Sequence, residues 1–509
     1  MKKIINSIFA FVTLFSVTSC DLDIDPQTAI RPEDAYDMEY CEGVRGYIYV
    51  DLKSLLSGAF YMTPDLYADV LNVCVSSGNA GYDVFNWRLV PSSTNPLSFW
   101  SSYYTTVMHI NYAIRHLNEA YEHLSPEDQA KVDVYKGEMY FFRAYVMHRA
   151  ALLFCEDYNP DVQDQPGLPY PKEWDPEAKL ARGTLAALYA NIESDLKEAE
   201  KTVTTQGTAT DQIYLTKDAI TAFRAEIALE SHQYSEASQY AQSLYGTYPL
   251  VTTAEGIERM WREDTSTENI LQLEVLRTTM TTVNSFGDYL NGGWMSDLSM
   301  FYYAPLYIPE QQVVALFDDS DFRTDIFLVK DAQVQIGNQS GVGYILNKFR
   351  GNKNFQTNTT TLVYRLRPKM FRIAQMYLID AEAQYRLNGG GLDPLNQLRT
   401  ARGLTALQSS DVTGTVTLPD GSTIDALFKA IQDERGRELL GEGTRLYDLK
   451  RWGQGFQRDI NSYLSSLVDV SSYLQTMKQP KDSPKFVWPI PQGELTQNPN
   501  FGSQNQGYM

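Results

Sequence analysis

Five histidines, His109, His116, His123, His148 and His232, are the only imidazoles in the chain. Imidazole is the side chain best suited to proton transfer near neutral pH and to metal ligation. The first three recur at every seventh residue, which sets them along one stripe of a helix. Zinc ligation from one helix calls for closer spacing, such as i and i+4, so the stripe reads as a half-exposed helix face. No HExxH helix, GxSxG elbow or Walker A loop occurs. The 63 acidic residues offer many carboxylates, but glycoside hydrolysis needs two of them held at a fixed separation across a cleft. No motif picks out such a pair. The expectation is therefore no catalytic residue, no metal site and no cofactor, with a hydrolase as the weakest alternative.

One thiol has a definite chemistry. Lys2 and Lys3 precede an apolar run from Ile4 to Val17, broken only by Asn6, Ser7, Thr13 and Ser16. The run falls short of the about 20 residues that span a bilayer and reads as a signal peptide over residues 1–19. Val17-Thr18-Ser19-Cys20 resembles a bacterial lipobox. The resemblance implies lipidation of Cys20, since a thiolate is the nucleophile that forms the thioether. Several acyl chains, at about 0.8 kcal/mol per buried CH2, then give stable anchoring.

Other residues suit binding. The chain holds 34 Tyr, 22 Phe and 7 Trp, and a flat apolar ring with a polar handle stacks well on sugars and peptides. Most such rings pack the core, so the candidates are those in loops with short polar groups. Asp69, Asn79, Tyr82, Asn86 and Trp87 form one such cluster, and Trp294, Tyr302 and Tyr303 a second. Rings, amides and carboxylates together could hold sugar hydroxyls or a peptide backbone.

Composition bounds the rest. Net charge is −20, and removal of residues 1–19 leaves 41 basic and 63 acidic residues, or −22. Nucleic-acid binding rests on Lys/Arg neutralisation of phosphates, so nucleic acid is excluded as a partner. A hydrophobic share of 43% is that of a globular chain. No Ser/Pro/Gly-rich linker divides residues 20–509, which are expected to form one large domain with intertwined lobes. Cys41, Cys74 and Cys155 show no CxxC or zinc spacing. Cys155 reads as a small core residue. A Cys41–Cys74 disulfide is compatible with an oxidising compartment, and the sequence leaves that pairing open.

The elements that must position these residues are mainly helical. Residues 21–98 look irregular, with a helix over Leu52 to Met62. Phe99 to Leu124 carries Trp100, Tyr103, Val107, Ile110 and Ile114 at helical spacing. Ser125-Pro126-Glu127-Asp128 starts a helix that runs to about Cys155. Further helices are expected from Thr184 to about Val203, Ala219 to Glu230 and Tyr234 to Tyr245. The last two carry Ala225, Ala228, Ala237, Ala241, Leu244 and Pro249 at the spacing of a tetratricopeptide hairpin. Phe371 to Leu387 with Pro394 to Arg402 forms a second candidate pair, and one pair cannot bury its face alone. Ile270 to Val275 and Val363 to Arg367 read as strands. Helices are expected again at Asp425 to Leu440 and Arg445 to Gln454.

Several stretches together resemble the RagB/SusD family. They are Gly137 to Tyr145, Phe371 to Ala383, the run Glu434-Arg435-Gly436-Arg437-Glu438-Leu439-Leu440-Gly441-Glu442-Gly443-Thr444-Arg445-Leu446-Tyr447-Asp448-Leu449-Lys450-Arg451-Trp452, and the tail Trp488 to Phe501. They follow the family's order. Glu434, Arg435, Arg437 and Glu438 at helical spacing read as a charge network that fixes one helix against its neighbours. The resemblance implies a mainly α, SusD-like fold. Stacked tetratricopeptide-type pairs would span about 99–250 and 369–455. An irregular ligand-binding lobe with a few short strands would come from about 21–98, 251–368 and the C-terminal loops. It also implies a non-catalytic lipoprotein on the outer face of the outer membrane, and Asp21-Leu22-Asp23-Ile24-Asp25-Pro26 resembles that family's export tag. Such a protein binds oligosaccharides or oligopeptides and serves a SusC-like TonB-dependent β-barrel transporter. Phe85-Asn86-Trp87, Asp321-Phe322-Arg323 and Gly343 to Phe349 resemble the RagB-like, peptide-binding branch. A surface adhesin or scaffold is the main alternative.

Overall fold

The computed structural model describes residues 36–75, 81–290, 292–295, 300–356, 362–459, 462–468 and 478–508. The expected signal peptide, Cys20 and the acidic stretch after it lie outside these residues.

The chain becomes helical earlier than its composition suggests. Helix α1 (Met38–Leu55) opens on Asp37, whose carboxylate accepts the Tyr40 N–H at 2.8 Å, and α2 (Ala59–Tyr67) follows. The expected helix over 52–62 is thus two helices. The break falls at Gly58, where φ is +58° and an added Cβ would lie 2.9 Å from the Asn284 side chain, so only glycine fits that corner. Gly43, Gly46 and the β-branched residues of α1 hide its periodicity. Burial of Cys41, Ile48, Tyr49, Leu52 and Leu55 on one face fixes it as a helix.

Beyond a turn, α3 (Tyr82–Phe85), lie the long helices α4 (Thr94–Tyr121) and α5 (Pro126–Phe154). Ser125 caps α5 by accepting the Asp128 N–H. Then come α6 (Leu185–Thr202), α7 (Lys217–Glu230), α8 (Tyr234–Ser243) and α9 (Ala254–Arg262). Three single-turn helices follow, α10 (Gly287–Leu290), α11 (Gln311–Val314) and α12 (Thr324–Phe327). Then come α13 (Ile373–Asn388), α14 (Leu392–Ala401), α15 (Ala426–Glu438) and α16 (Arg445–Trp452), and a short last helix, α17 (Gln492–Gln497). The pair α7/α8 packs with Ala225, Ala228, Ala237 and Ala241 buried, and α13 stacks on α8 while packing against α14. Tyr245 and Tyr377 stack at 3.9 Å, and Asp380 accepts from Ser238 at 2.6 Å and Tyr245 at 2.9 Å.

The strands are short: β1 (Leu71–Val73), β2 (Asn269–Gln272), β3 (Gly292–Met295), β4 (Met300–Tyr303), β5 (Tyr307–Pro309), β6 (Leu328–Ile336), β7 (Gln339–Leu346), β8 (Lys369–Arg372), and the two pairs β9 (Thr415–Thr417) with β10 (Thr423–Asp425) and β11 (Phe456–Gln457) with β12 (Lys478–Gln479). The largest sheet has the order β3-β4-β6-β7, with β4 and β6 parallel. The strand expected at 363–367 is an extended segment instead. Its backbone bonds to scattered partners, Tyr364 N–H to Arg350 and the Tyr364 carbonyl to Phe286 N–H. The ladder with β2 is formed by β8. Cys41, Cys74 and Cys155 are buried free thiols. Cys41 sits in the main core and Cys74 in a separate cluster with Ile308 and Ile345, so no disulfide joins them.

The charged run around Glu434 is the densest polar feature of the interior. Arg323, fully buried, meets Asp321 at 2.7 Å, Glu434 at 2.7 Å and Glu438 at 2.9 Å. Arg402 bridges Glu268 at 2.8 Å and Glu438 at 3.0 Å. Arg372 reaches Glu442 at 2.6 Å, and Arg451 joins Glu382 and Asp448 at 2.8 and 2.9 Å. The network expected to fix one helix against its neighbours thus ties α12, α13, α14, α15, α16 and β8 together. Burial alone would raise the Glu438 carboxyl, yet Arg402, Arg372 and Arg323 hold it well below the usual carboxylate range. Arg323 and Arg437 likewise hold the Glu434 carboxyl below its ordinary value, and Arg451 that of Glu382.

Candidate ligand-binding site

The two loop clusters singled out in the sequence lie more than 200 residues apart, and one strand pair brings their segments together. β1 pairs with β5 in the register Leu71↔Pro309, Asn72↔Ile308 and Val73↔Tyr307, and the Cys74 N–H continues it to the Leu306 carbonyl at 2.9 Å. The chain leaving β1 therefore runs beside the chain that has just left β4. Gly81 closes this corner with φ +73°. A Cβ there would lie 2.5 Å from the Tyr307 hydroxyl and 2.6 Å from Leu66, so a side chain would push α3 off its seat. Behind it Tyr289 stacks on Tyr307 at 5.4 Å.

On this framework Tyr82 begins α3, half-buried, with the Arg88 guanidinium 5.6 Å from its ring centre. Asn86 ends α3 and donates to the Tyr82 carbonyl at 2.9 Å. It is buried and holds the turn rather than facing outward. Tyr302 and Tyr303 alternate across β4. Tyr303 is buried against Ile308, Val334 and Ile345, while Tyr302 stays half-buried opposite Gly293, which has no side chain to cover it. In β3, Trp294 pairs with Phe301 through the backbone. Asn79 and the Trp294 side chain lie outside the described residues.

Two more of the expected ligand contacts, Trp87 and Asp69, are buried. Trp87 is 4% exposed, and its ring lies flat on Tyr67 at 4.4 Å with an interplanar angle of 3°. Phe486 and Phe456 meet it edge-on at 4.9 and 5.6 Å, and its indole N–H donates to the Tyr67 carbonyl at 2.6 Å. Its φ of +54° is rare for a bulky residue and is held by this packing. Asp69 is also buried and receives Arg445 at 2.7 and 2.9 Å. That ion pair pins the α2–β1 junction to α16, beside a pocket of 210 Å³. Both corrections have one cause: an aromatic or acid in a loop-like stretch of sequence was drawn inward by partners far along the chain. Conversely, the half-buried Tyr289 and Tyr344 near this corner were not foreseen. Their signal was weak, single aromatics in a Gly- and Asn-rich region.

Tyr82 and Tyr302 thus each keep part of a ring uncovered, and the Arg88 guanidinium lies beside Tyr82. A family model described as "Starch-binding associating with outer membrane" matches residues 44–229, and one described as "SusD family" matches residues 303–508. The chain belongs to the SusD/RagB family. SusD-like protein P38 of Formosa agariphila is 22% identical over the whole of both chains. A SusD superfamily protein of Bacteroides vulgatus superposes with a TM-score of 0.72 at 21% identity, covering 92% of this chain and 98% of its own. A laminarin-binding SusD-like protein superposes with a TM-score of 0.67 at 20% identity, covering 93% of this chain and all of its own. These superpositions establish the mainly helical SusD-like fold.

Proposed function

We propose that the chain is a surface lipoprotein that captures neutral oligosaccharides at the corner of α3 and β4 and passes them to a SusC-like TonB-dependent transporter in the outer membrane. The observation that supports this reading is the β1–β5 pairing, which joins the chain leading to Tyr82 to the chain that follows Tyr302. A half-covered ring leaves one face for the C–H face of a sugar, and its hydroxyl handles direct sugar hydroxyls. The starch-binding description of the matching family and the laminarin-binding relative support a glycan over a peptide. The lipobox around Cys20 supports tethering at the cell surface, and the family supports the transporter.

The test is calorimetry of the soluble protein, truncated after Cys20, with α-1,4- and β-1,3-linked gluco-oligosaccharides and with a peptide mixture. Sugar binding that falls at least tenfold in Tyr302→Ala, with melting temperature unchanged, is expected. Binding of peptides and of no sugar would overturn the glycan reading in favour of the oligopeptide one. Failure of the full-length lipoprotein to co-purify with a β-barrel would favour an adhesin or scaffold.

A further inference from the structure

The histidine stripe on α4 has partners. His123 stacks on Tyr36 at 4.5 Å, and His116 meets Tyr40 edge-on at 5.0 Å. His109 meets Tyr47 at 5.3 Å, and its Nδ1 lies 2.6 Å from Asp51. The seven-residue spacing thus builds a ladder of imidazole–phenol contacts along the seam where α1 and α4 pack antiparallel. His116 Nε2 also lies 2.9 Å from the Tyr112 hydroxyl.

Above this seam opens a groove of 890 Å³ lined by Tyr40, Val44, Tyr47, His109 and Tyr112, with Asp37 and Glu39 at one end. Its rim is aromatic and uncovered: Tyr47 is 52% exposed, Tyr112 39% and Trp174 39%. Trp174 stands edge-on to Tyr112 at 5.6 Å, and the Arg115 guanidinium lies 5.3 Å from the Trp174 ring centre. Among the described residues the one other large exposed aromatic, Tyr214, also abuts α1, through Tyr49 at 5.7 Å. Three of the four large exposed aromatics among the described residues, Tyr47, Tyr112 and Trp174, rim this groove, and such concentration on a protein surface marks binding.

We propose that the α1–α4 groove is a second carbohydrate site, taking a neutral glycan chain. The volume lies within the range of small-molecule clefts. Rings carrying hydroxyls, imidazoles with a second polar edge and carboxylate acceptors match pyranose faces and hydroxyls. Asp37, Glu39 and Asp51, on a chain of net charge −20, repel sulfated, phosphorylated or uronic ligands. The groove shares no lining residue with the Tyr82/Tyr302 rim. Two attachment points on one polysaccharide raise avidity through effective concentration without new contacts at either site. The ligand class rests on the proposed function; the location does not.

The test is hydroxyl-radical footprinting of the truncated protein at saturating soluble starch and at saturating laminarin, on the parent and on Tyr302→Ala. The expected result is several-fold protection of Tyr47, Tyr112 and Trp174 with at least one glucan in both proteins. In affinity gels containing that glucan, adding Tyr47→Ala/Tyr112→Ala to Tyr302→Ala should abolish the retardation that remains while the melting temperature holds. Protection around Tyr302 alone overturns the groove and leaves the proposed function standing. Protection in the groove alone supports the groove and removes the first site. No protection anywhere overturns both.

Discussion

Replacing Glu438 by glutamine keeps the shape of the side chain and removes one buried charge. The carboxylate receives Arg323 at 2.9 Å, Arg402 at 3.0 and 3.2 Å, and faces Arg372 at 3.6 Å, with 2% of the side chain exposed. The amide keeps one acceptor and turns an NH2 donor toward guanidinium donors. Removing one partner of a buried ion pair costs about 3–5 kcal/mol, because the remaining charge stays desolvated. Arg323 retains Asp321 and Glu434, and Arg402 retains Glu268, so the lower end, about 3 kcal/mol, is expected. That is a large share of the about 5–15 kcal/mol that holds a typical domain folded. Urea unfolding followed by tryptophan fluorescence should show a lower midpoint at an unchanged slope. A second readout is acid sensitivity. The folded-state carboxyl is depressed below its ordinary 4.5, so its contribution is complete above pH 4.5 and fades as pH falls toward the folded value. Glu438→Gln should lack this part of the acid slope. A loss below about 1 kcal/mol, or an acid slope identical to that of the parent, would refute the argument that this carboxylate welds the helices together.

Trp87→Ala removes a fully packed ring and should cost about 3–5 kcal/mol; the same urea melt checks it, and the folded fraction should bind glycan with parental affinity. Burial pushes the Asp65 carboxyl from 3.8 up to about 7, against hydrogen bonds from the Gly443 and Arg445 N–H groups. A raised acid favours the fold below pH 3.8 and loses that contribution as pH climbs to about 7, so Asp65→Asn should flatten thermal stability between about pH 4 and 7, and an unchanged profile would count against it. Arg445→Ala strands Asp69 in the interior and should lower the melting temperature by several degrees.

The sequence by itself determined the long helices, the tetratricopeptide-like pairs and the family. Ser125 with Pro126, Thr184, and the alanines at 225, 228, 237 and 241 are local signals: a cap, a dipole and a close helix approach each act within a few residues. It also exposed the Glu434–Trp452 charge run, though not its partners. Tertiary structure alone decided what depended on distant partners. α1 became a helix despite Gly43 and Gly46 because its apolar face is buried, and the ladder moved to β8 because its backbone groups meet β2. Trp87 and Asp69 are buried because Tyr67, Phe486 and Arg445 satisfy them inside. The histidine stripe gained its ring partners only when Tyr36 and, from α1, Tyr40 and Tyr47 packed against it. Periodicity encodes which face of an element is apolar; which surface covers that face is set by chain segments hundreds of residues away, and no local pattern carries that information.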